Sequence, residues 1–518
     1  MNPIRSILIV GGGTAGWLTA AFLARTLGPQ MAITLVESPD IGVIGVGEGS
    51  FPSLRGTLAA IGIPEAEFVR DTGATFTQGI RFDHWVRPPG SSSTQGHDHY
   101  FHPFNPPSQR AGGPELLPYW LMGEAGPDAA YAQAATMQKR VADARRAPKR
   151  ESDADYQGPM NYAYHFDAMR LAAVLSKAAK ALGVQHKVAK VEGVDLDETG
   201  AIARVRTAEL GALDADLYID CTGFRALLIG EALGSKLRPL SDVLLVDRAL
   251  AVQVPYAQPD APIASYTIST AHEAGWTWDI GLQERRGIGY VYSSRHTSDE
   301  RAEVVLRAHV GAAANGLPVR QLKLPVGYRD VQWKHNCVAV GLSSGFIEPL
   351  EASGIGLIEM AAYLIGFLFP FDGHTAPVAA QFNSMMSQRY ERIVDFVKMH
   401  YALTQRTEPF WADNLSTMTP TLQERLSQWR CRPPHRLDFV ADVEMYPPSS
   451  WQYVLYGMEF KTELGLARAA LTRSADARQE FAMLQQVSER ALADLPDHRA
   501  YVTKLSARAD ARAAAAPK

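Results

Sequence analysis

Ile7 to Val10 forms a short unbroken apolar run, the pattern of a strand buried on both faces, and a glycine cluster ends it at Gly11. An apolar helical stretch follows to Leu27, and Ala32-Ile33-Thr34-Leu35-Val36-Glu37 predicts a second strand ending in an acid. Thr75 to Val86 alternates, which predicts a strand with Thr77, Gly79 and Arg81 on one face. Arg87 to Gly113, rich in Pro, Gly and Ser, predicts a long loop. Leu116 to Lys149 has a helical pattern with a basic end, Lys139, Arg140, Arg145, Arg146, Lys149 and Arg150, expected to be a solvated face. Phe166 to Gly183 predicts an amphipathic helix closed by glycine, and Gln185 to Leu196 with Ala201 to Thr207 predicts a hairpin turning at 197–200. Ala215 to Cys221 reads as an apolar strand running into a small-residue turn, Val243 to Val291 is strand-rich, and Asn336 to Val340 is a short buried strand. A turn-forming stretch then precedes a helix over Gly356 to Phe369. From Gln381 helices dominate, at Phe382 to Leu403, Leu422 to Trp429 and Ala475 to Leu495, and the Ala-rich end from Ala507 to Lys518 predicts a frayed, disordered tail.

A chain of 518 residues predicts two or three cooperating modules. Its 51 basic and 55 acidic side chains exclude a nucleic-acid surface or a polybasic membrane anchor as its main business. Cys221, Cys337 and Cys431 lie far apart without metal-type spacing, and Met1 runs almost directly into the first strand, so a reduced, cytoplasmic protein is expected. The longest apolar run, Met360 to Phe371, is too short to span a bilayer.

The first strand, Gly11-Gly12-Gly13-Thr14-Ala15-Gly16-Trp17 and the helix after it form a dinucleotide site. The glycines let the backbone approach a pyrophosphate held on open helix amides, and Glu37 is placed to accept ribose hydroxyls. Ile41 to Ser50 is a glycine-dense loop able to close on a cofactor through Gly47 and Glu48. The turn after Asp220, through Gly223, brings a second segment to the pyrophosphate. In the long loop, three nearby histidines, His97, His99 and His102, suggest a metal, but no acid or cysteine cluster supports one, and a substrate-covering loop is the preferred reading, with no metal. Trp276 and Trp278 share one strand face; such a pair is more often core than site. Glu348, Glu351, Ser353 and Gly354 lie in a turn opening a helix, where free amides seat an anion.

Four motifs in this order, Gly11 to Trp17, Gly47-Glu48, Trp276-Thr277-Trp278-Asp279-Ile280 and Gly345 to Ile355, resemble those of the flavin-dependent halogenases typified by the tryptophan halogenases. The resemblance implies an α/β fold: an FAD-binding Rossmann-type, monooxygenase-like domain with a mixed β-sheet substrate region over 1–380, a helical C-terminal module over 381–506 and a disordered tail over 507–518. It implies reduced FAD (FADH2) delivered by a separate flavin reductase, halide as co-substrate and a small aromatic substrate, and it is compatible with a homodimer. The cofactor set it implies is Gly11, Gly13, Thr14, Ala15, Gly16, Glu37, Gly47, Glu48, Asp220, Gly223, Gly341 and Ile355. Ser353 and Gly354 would hold halide, Trp276 and Trp278 would line the passage beside the flavin, and His102 and Phe104 would wall the substrate. Glu351 matches the family's catalytic glutamate.

Thr77 stands where the family carries a lysine thought to activate hypohalous acid, Gly281 replaces the proline closing the paired-tryptophan motif, and Ala352 replaces the serine after the glutamate. Trp276, Trp278 and Glu351 favour a halogenase acting on an indole-like or other electron-rich arene, with bromide ahead of chloride. The missing lysine favours an oxygenase or oxidase on the same scaffold, and a non-catalytic flavin-binding protein is the third reading.

Overall fold

The computed structural model describes residues 3–39, 47–91 and 98–515. Its first layer is a six-stranded sheet centred on β1 (Ser6–Val10), which runs parallel to Leu217–Asp220 on one side and to β2 (Ala32–Glu37) on the other. Ile9 faces Ile219 and Leu35 across these ladders, so the apolar run predicted to be buried on both faces is the middle of the sheet. Cys337–Ala339 extends the parallel order at one edge and Gln185–Val188 at the other. The helix α1 (Thr14–Leu27) lies on this sheet and packs against the helices Ala168–Ala181 and Ser353–Phe367.

A seven-stranded sheet forms the second layer. Its central strands Arg248–Pro255, Arg285–Tyr292, Gly275–Gly281 and Thr267–His272 are antiparallel, and its edge is β5 (Gly79–Asp83) with β6 (His99–Pro103), numbered after β3 (Gly47–Gly49) and β4 (Thr75–Thr77). The strands β3 and β4 flank β7 (Ala163–Asp167) in a small third sheet, which joins the glycine-rich segment to the substrate side. Helices from Thr375 onward cover this assembly, and one contiguous apolar core runs from Ile4 to Ala509.

Several expectations are corrected. The single strand predicted over Thr75 to Val86 breaks at Gln78, whose N–H donates to Ser265 and whose carbonyl accepts from Phe104. Its halves, β4 and β5, belong to different sheets, so Thr77 and Arg81 do not share a face; Arg81 pairs with Asp83 at 2.7 Å. Gly79 is required there, because a Cβ would stand 2.3 Å from the His102 carbonyl. The predicted strand Gln185 to Leu196 also divides: Gln185–Val188 joins the parallel sheet, and only Val191–Leu196 forms the hairpin with Ile202–Thr207.

Leu116 to Lys149 is three short helices, and its basic end is not uniformly solvated. Lys149 is 1 % exposed and ion-paired with Glu65, which also accepts from Tyr162 and Tyr164. The final helix, His498–Ala515, is ordered through most of the tail expected to be disordered. Buried Tyr501, Leu505 and Ala509 seat it, and the His498 imidazole, kept neutral by burial with its pKa lowered to about 4, accepts from the Phe76 N–H. The helix expected from Gly356 begins three residues earlier, at Ser353.

Candidate active site

At the Gly11–Gly16 turn each glycine has its own steric reason. A Cβ on Gly11 would stand 2.2 Å from the Cys221 carbonyl, on Gly12 1.5 Å from Glu37 Oε2, and on Gly16 1.9 Å from the Gly11 carbonyl. Those three let the turn close on its own protein. Gly13 differs: a Cβ there meets nothing within 4 Å, and Gly13 caps α1 without any side-chain bond to the first helix amides. An open backbone surface at a helix N-terminus is what a pyrophosphate needs, so the residues present fit a dinucleotide. Gly341, with φ +75°, brings its backbone over Ala15, and Gly223 is open at φ +70°. Glu37 ends β2 with His186 Nε2 at 2.7 Å. Asp220 is a correction: its carboxylate accepts from Thr222, Leu228 and Ile229 and is fully buried, so it holds its own turn and is not available to a cofactor. The stretch Ile41 to Val46 and His97 lie outside the described residues; Gly47 and Glu48 lie in β3. Burial, with Asp167 nearby, pushes the Glu48 carboxyl up to about 7.

The second centre is Glu351, whose side chain is 1 % exposed. His102, on β6, brings Nδ1 to 3.0 Å from both carboxylate oxygens, and its Nε2 lies 2.8 Å from Ser450 Oγ. His400, near the end of the helix Thr375–Ala402, brings Nε2 to 3.1 Å from Oε1, at a slant that leaves its N–H poorly aligned, while its Nδ1 lies 2.6 Å from the Tyr100 hydroxyl. With the Tyr100 hydroxyl donating to His400 Nδ1 and the Ser450 hydroxyl donating to His102 Nε2, both rings present N–H to the carboxylate. Burial pushes the Glu351 carboxyl up, but His102 and His400 more than offset this and hold it at about 2. Burial lowers His400 in turn, against the carboxylate beside it. The Tyr446 hydroxyl donates to the Glu351 carbonyl at 3.2 Å. The arrangement is a permanent carboxylate fixed between two imidazoles in a water-poor pocket.

His102 also meets the Phe104 ring edge-on at 6.5 Å, so the two aromatic residues expected to wall a substrate lie together beside Glu351. Thr77 reaches the same region through the Gln78 break, one residue before the Phe104 N–H···Gln78 bond. Its hydroxyl donates to the Gly79 carbonyl at 3.2 Å and the residue is 2 % exposed. Ser353 and Gly354 occupy the first turn of the helix Ser353–Phe367, after Ala352 in the left-handed region at φ +54°. The Gly354 Cβ position is open, and Gly49 of β3 lies against Ala352, so the turn before this helix and β3 are in contact; Ile355 is buried one residue on.

Trp276 and Trp278 are both buried, edge-to-face with centroids 6.5 Å apart. They divide two environments. The Trp276 indole N–H faces Glu348 without closing a hydrogen bond, and the Tyr401 hydroxyl donates to that carboxyl. Burial raises the Glu348 pKa and lowers that of Lys398 behind it, each offset in part by the other's charge. Trp278 lies flat over Gly289, where a Cβ would stand 2.0 Å from the ring, and with Gly47 and Gly287 it lines a cavity of about 280 Å3. Trp278 therefore borders the cavity beside β3 and Trp276 the Glu348 side. Among the described residues no group of three or more His, Cys, Asp or Glu side chains is arranged to hold a metal.

His400, Tyr100, Ser450, Tyr446, Gly287 and Gly289 were not singled out from the sequence. The available signal was a histidine four residues after Phe396, on the apolar face of a long helix.

The model of the family described as tryptophan halogenase matches residues 6–470. The chain is 34% identical to the tryptophan 6-halogenase SttH of Streptomyces toxytricini over 98% of this chain and 99% of that one. Among solved structures, the tryptophan halogenase of Shewanella frigidimarina superimposes with a TM-score of 0.92 at 39% identity, over 97% of this chain and 98% of that one. Tar14, a tryptophan C-6 flavin-dependent halogenase (chlorinase), does so with 0.89 at 35% identity, over 97% and 99%. This chain belongs to the tryptophan halogenase family of flavin-dependent enzymes.

Proposed function

We propose that the protein halogenates an indole-like or other electron-rich arene, with Glu351 as the catalytic carboxylate. The observation that carries this reading is the Glu351 clamp, a buried carboxylate held ionised by His102 and His400 beside the Phe104 ring. Bound FAD, reduced, would supply oxygen activation and turn halide into hypohalous acid. The Gly11–Gly16 turn, Glu37, Gly223 and Gly341 would hold it, and Ser353 and Gly354 would offer backbone amides to halide. In this reading Trp276 and Trp278 would line the passage between the two centres, letting a small oxidant pass while keeping a bulky arene away from the cofactor. At the arene, a fixed negative charge at Glu351 would stabilise the cation formed when halogen adds to the ring and would take up its proton. Its oriented partners cost no reorganisation at that moment.

Thr77 limits the activity. Its hydroxyl is engaged by Gly79 and offers at most one neutral hydrogen bond where an ammonium would offer charged ones. Weak halogenation confined to electron-rich rings follows, with bromide ahead of chloride because hypobromous acid needs less activation. Reduced flavin would come from a separate reductase, since no second Gly-x-Gly-x-x-Gly unit follows the first. The test is a reaction of the protein with FAD, NADH, a flavin reductase, indole and bromide, read by mass spectrometry. A bromine isotope doublet is expected; an added oxygen without bromine would replace this reading with an oxygenase, and no product would leave a flavin-binding protein.

A further inference from the structure

We infer that a row of oxidisable side chains, Trp278, Trp276, Trp85 and Tyr401, drains one-electron oxidising equivalents from the cavity beside β3 into the Tyr401–Glu348 pair and so spares the paired tryptophans from oxidative damage. The inference goes beyond the halogenase reading and takes from it only that an oxygen-derived oxidant arises beside Trp278. Trp278 lines that cavity, and its ring centroid is 6.5 Å from that of Trp276. Trp276 lies 6.3 Å from Trp85, and Trp85 lies 5.2 Å from Tyr401. Trp276 also approaches the terminal pair directly, since its indole N–H faces Glu348. Each step joins neighbouring rings, and Trp276, Trp85 and Tyr401 are all fully buried.

Aromatic rings fill cores for their bulk alone, so the polar atoms along this row decide its meaning. The Trp85 N–H is buried without an acceptor, and the Trp276 N–H closes no hydrogen bond. Buried donors are nearly always satisfied, and an orphaned one calls for a reason, a redox role among them. An indole that loses an electron but keeps its N–H proton stays a strongly oxidising cation and takes an electron from the next ring. Tyr401 differs, because its hydroxyl donates to Glu348 and its proton has somewhere to go. Burial raises the Glu348 carboxyl to about 7, so the carboxylate present above that pH binds a proton more tightly than an exposed one. Trp411 also touches Trp85, at 5.2 Å, but the Arg406 guanidinium stands 5.1 Å from its ring centroid and disfavours a second positive charge there. Lys398 Nζ lies 5.9 Å from the Tyr401 ring centroid, where a neutral radical carries no charge for it to oppose. The step balances: the oxidant gains one electron, which leaves Tyr401 and is relayed through the indoles, while the Tyr401 O–H bond breaks and its proton passes to a Glu348 oxygen.

The test illuminates the FAD-loaded protein with blue light at about pH 8.5, above the Glu348 value of about 7, and reads the frozen sample by electron paramagnetic resonance. Light on oxidised FAD supplies a one-electron oxidant without halide or arene. A tyrosyl signal that narrows when the protein is made with ring-deuterated tyrosine is expected. Tyr401→Phe, which removes one oxygen atom and keeps the ring, should abolish it, and Trp276→Phe and Glu348→Gln should each lower its yield by about tenfold or more. In turnover with FAD, reductase, NADH and bromide but no arene, peptide mass spectrometry should find oxygenated Trp276 and Trp278 accumulating at least about threefold faster in Tyr401→Phe than in the parent. No radical, a tryptophan-only signal, a tyrosyl signal that survives Tyr401→Phe, or a yield indifferent to Trp276→Phe or to Glu348→Gln would overturn the inference, as would equal damage to the paired tryptophans. The illumination arm needs bound flavin but no halogenation, so a protein that brominates no arene fails the halogenase reading and leaves this inference to the radical signal.

Discussion

Glu348 and Glu351 stand three residues apart, and their surroundings separate their roles. Burial pushes Glu348 toward its neutral form although the Tyr401 hydroxyl donates to it, whereas Glu351 is held as a carboxylate by two imidazoles. Because the folded pKa of Glu351, about 2, lies below the unfolded value of about 4.3, the stability of the clamp is fully present above pH 4.3 and is lost as pH falls toward 2. The acid limb of kcat/KM should therefore not report Glu351 above about pH 4. Replacing His400 by Phe, with Tyr100→Phe so that no hydroxyl is orphaned, removes one partner and should carry that limb upward by about one pH unit or more; an unmoved pH profile would show that His400 does not hold the charge. Thr77→Lys places an ammonium where a neutral hydroxyl now bonds Gly79. The yield of brominated indole at fixed flavin supply should rise by about tenfold, the difference between a charged and a neutral hydrogen bond. A lysine variant that folds, binds FAD and shows no gain would mean that the site has been rebuilt for another reaction.

At the scale of elements, the turn into α1 was legible because each glycine answers a local demand. The same logic separates two variants that sequence treats alike. Gly13→Val should leave a folded protein that no longer binds FAD, because its Cβ enters open space on the cofactor side. Gly16→Val should lose the fold itself, because its Cβ would overlap the Gly11 carbonyl; circular dichroism alongside a flavin titration distinguishes the two outcomes. The paired-tryptophan strand and the turn before Ser353 were legible for similar reasons, as short motifs with a fixed local shape. The Glu351 clamp was not: Tyr100 and His102 of β6, His400 and Ser450 come from three widely separated segments, and although His102 was expected at a substrate wall, Tyr100, His400 and Ser450 each alone read as ordinary core or loop residues. The break at Gln78 was hidden because alternation continues through it, with Gly79 the one local sign. The Lys149–Glu65 pair was hidden because a basic cluster reads as surface until its distant acid is known.

The helix that opens with Ser353 carries a further device. Glu359 accepts from Ser53 at 2.9 Å and Thr57 at 2.5 Å, tying this helix to α2 (Leu54–Ile61), and burial raises its pKa to about 7 despite the two hydroxyls. A raised carboxyl contributes stability that is fully present below the unfolded value near 4.3 and is lost as pH rises through 7. Glu48 and Glu348 are raised in the same way, so Glu359 supplies one share of a decline between about pH 5 and 7, about 1.4 kcal/mol per pH unit, and thermal melts of Glu359→Gln should show a decline smaller than the parent's by that share. An equal decline in the variant would assign the pH dependence elsewhere.

Across the whole molecule, the two sheets divide the labour. The parallel sheet presents the open Gly13 surface, and the antiparallel sheet carries both β6 with His102 and the strand of the paired tryptophans. Among the described residues no helix is long and apolar enough to cross a membrane. If oxidant is made at one end and used at the other, the two steps can be uncoupled by a single substitution. The measurement that addresses this most directly is Glu351→Gln with FAD, reductase, NADH and bromide, followed in parallel by a freely diffusing trap for hypobromous acid and by bromination of indole. Trapped oxidant should persist within about twofold of the parent protein while indole bromination falls by about a hundredfold or more. Bromination that survives the substitution, or trapped oxidant that disappears with it, would contradict a carboxylate acting at the arene.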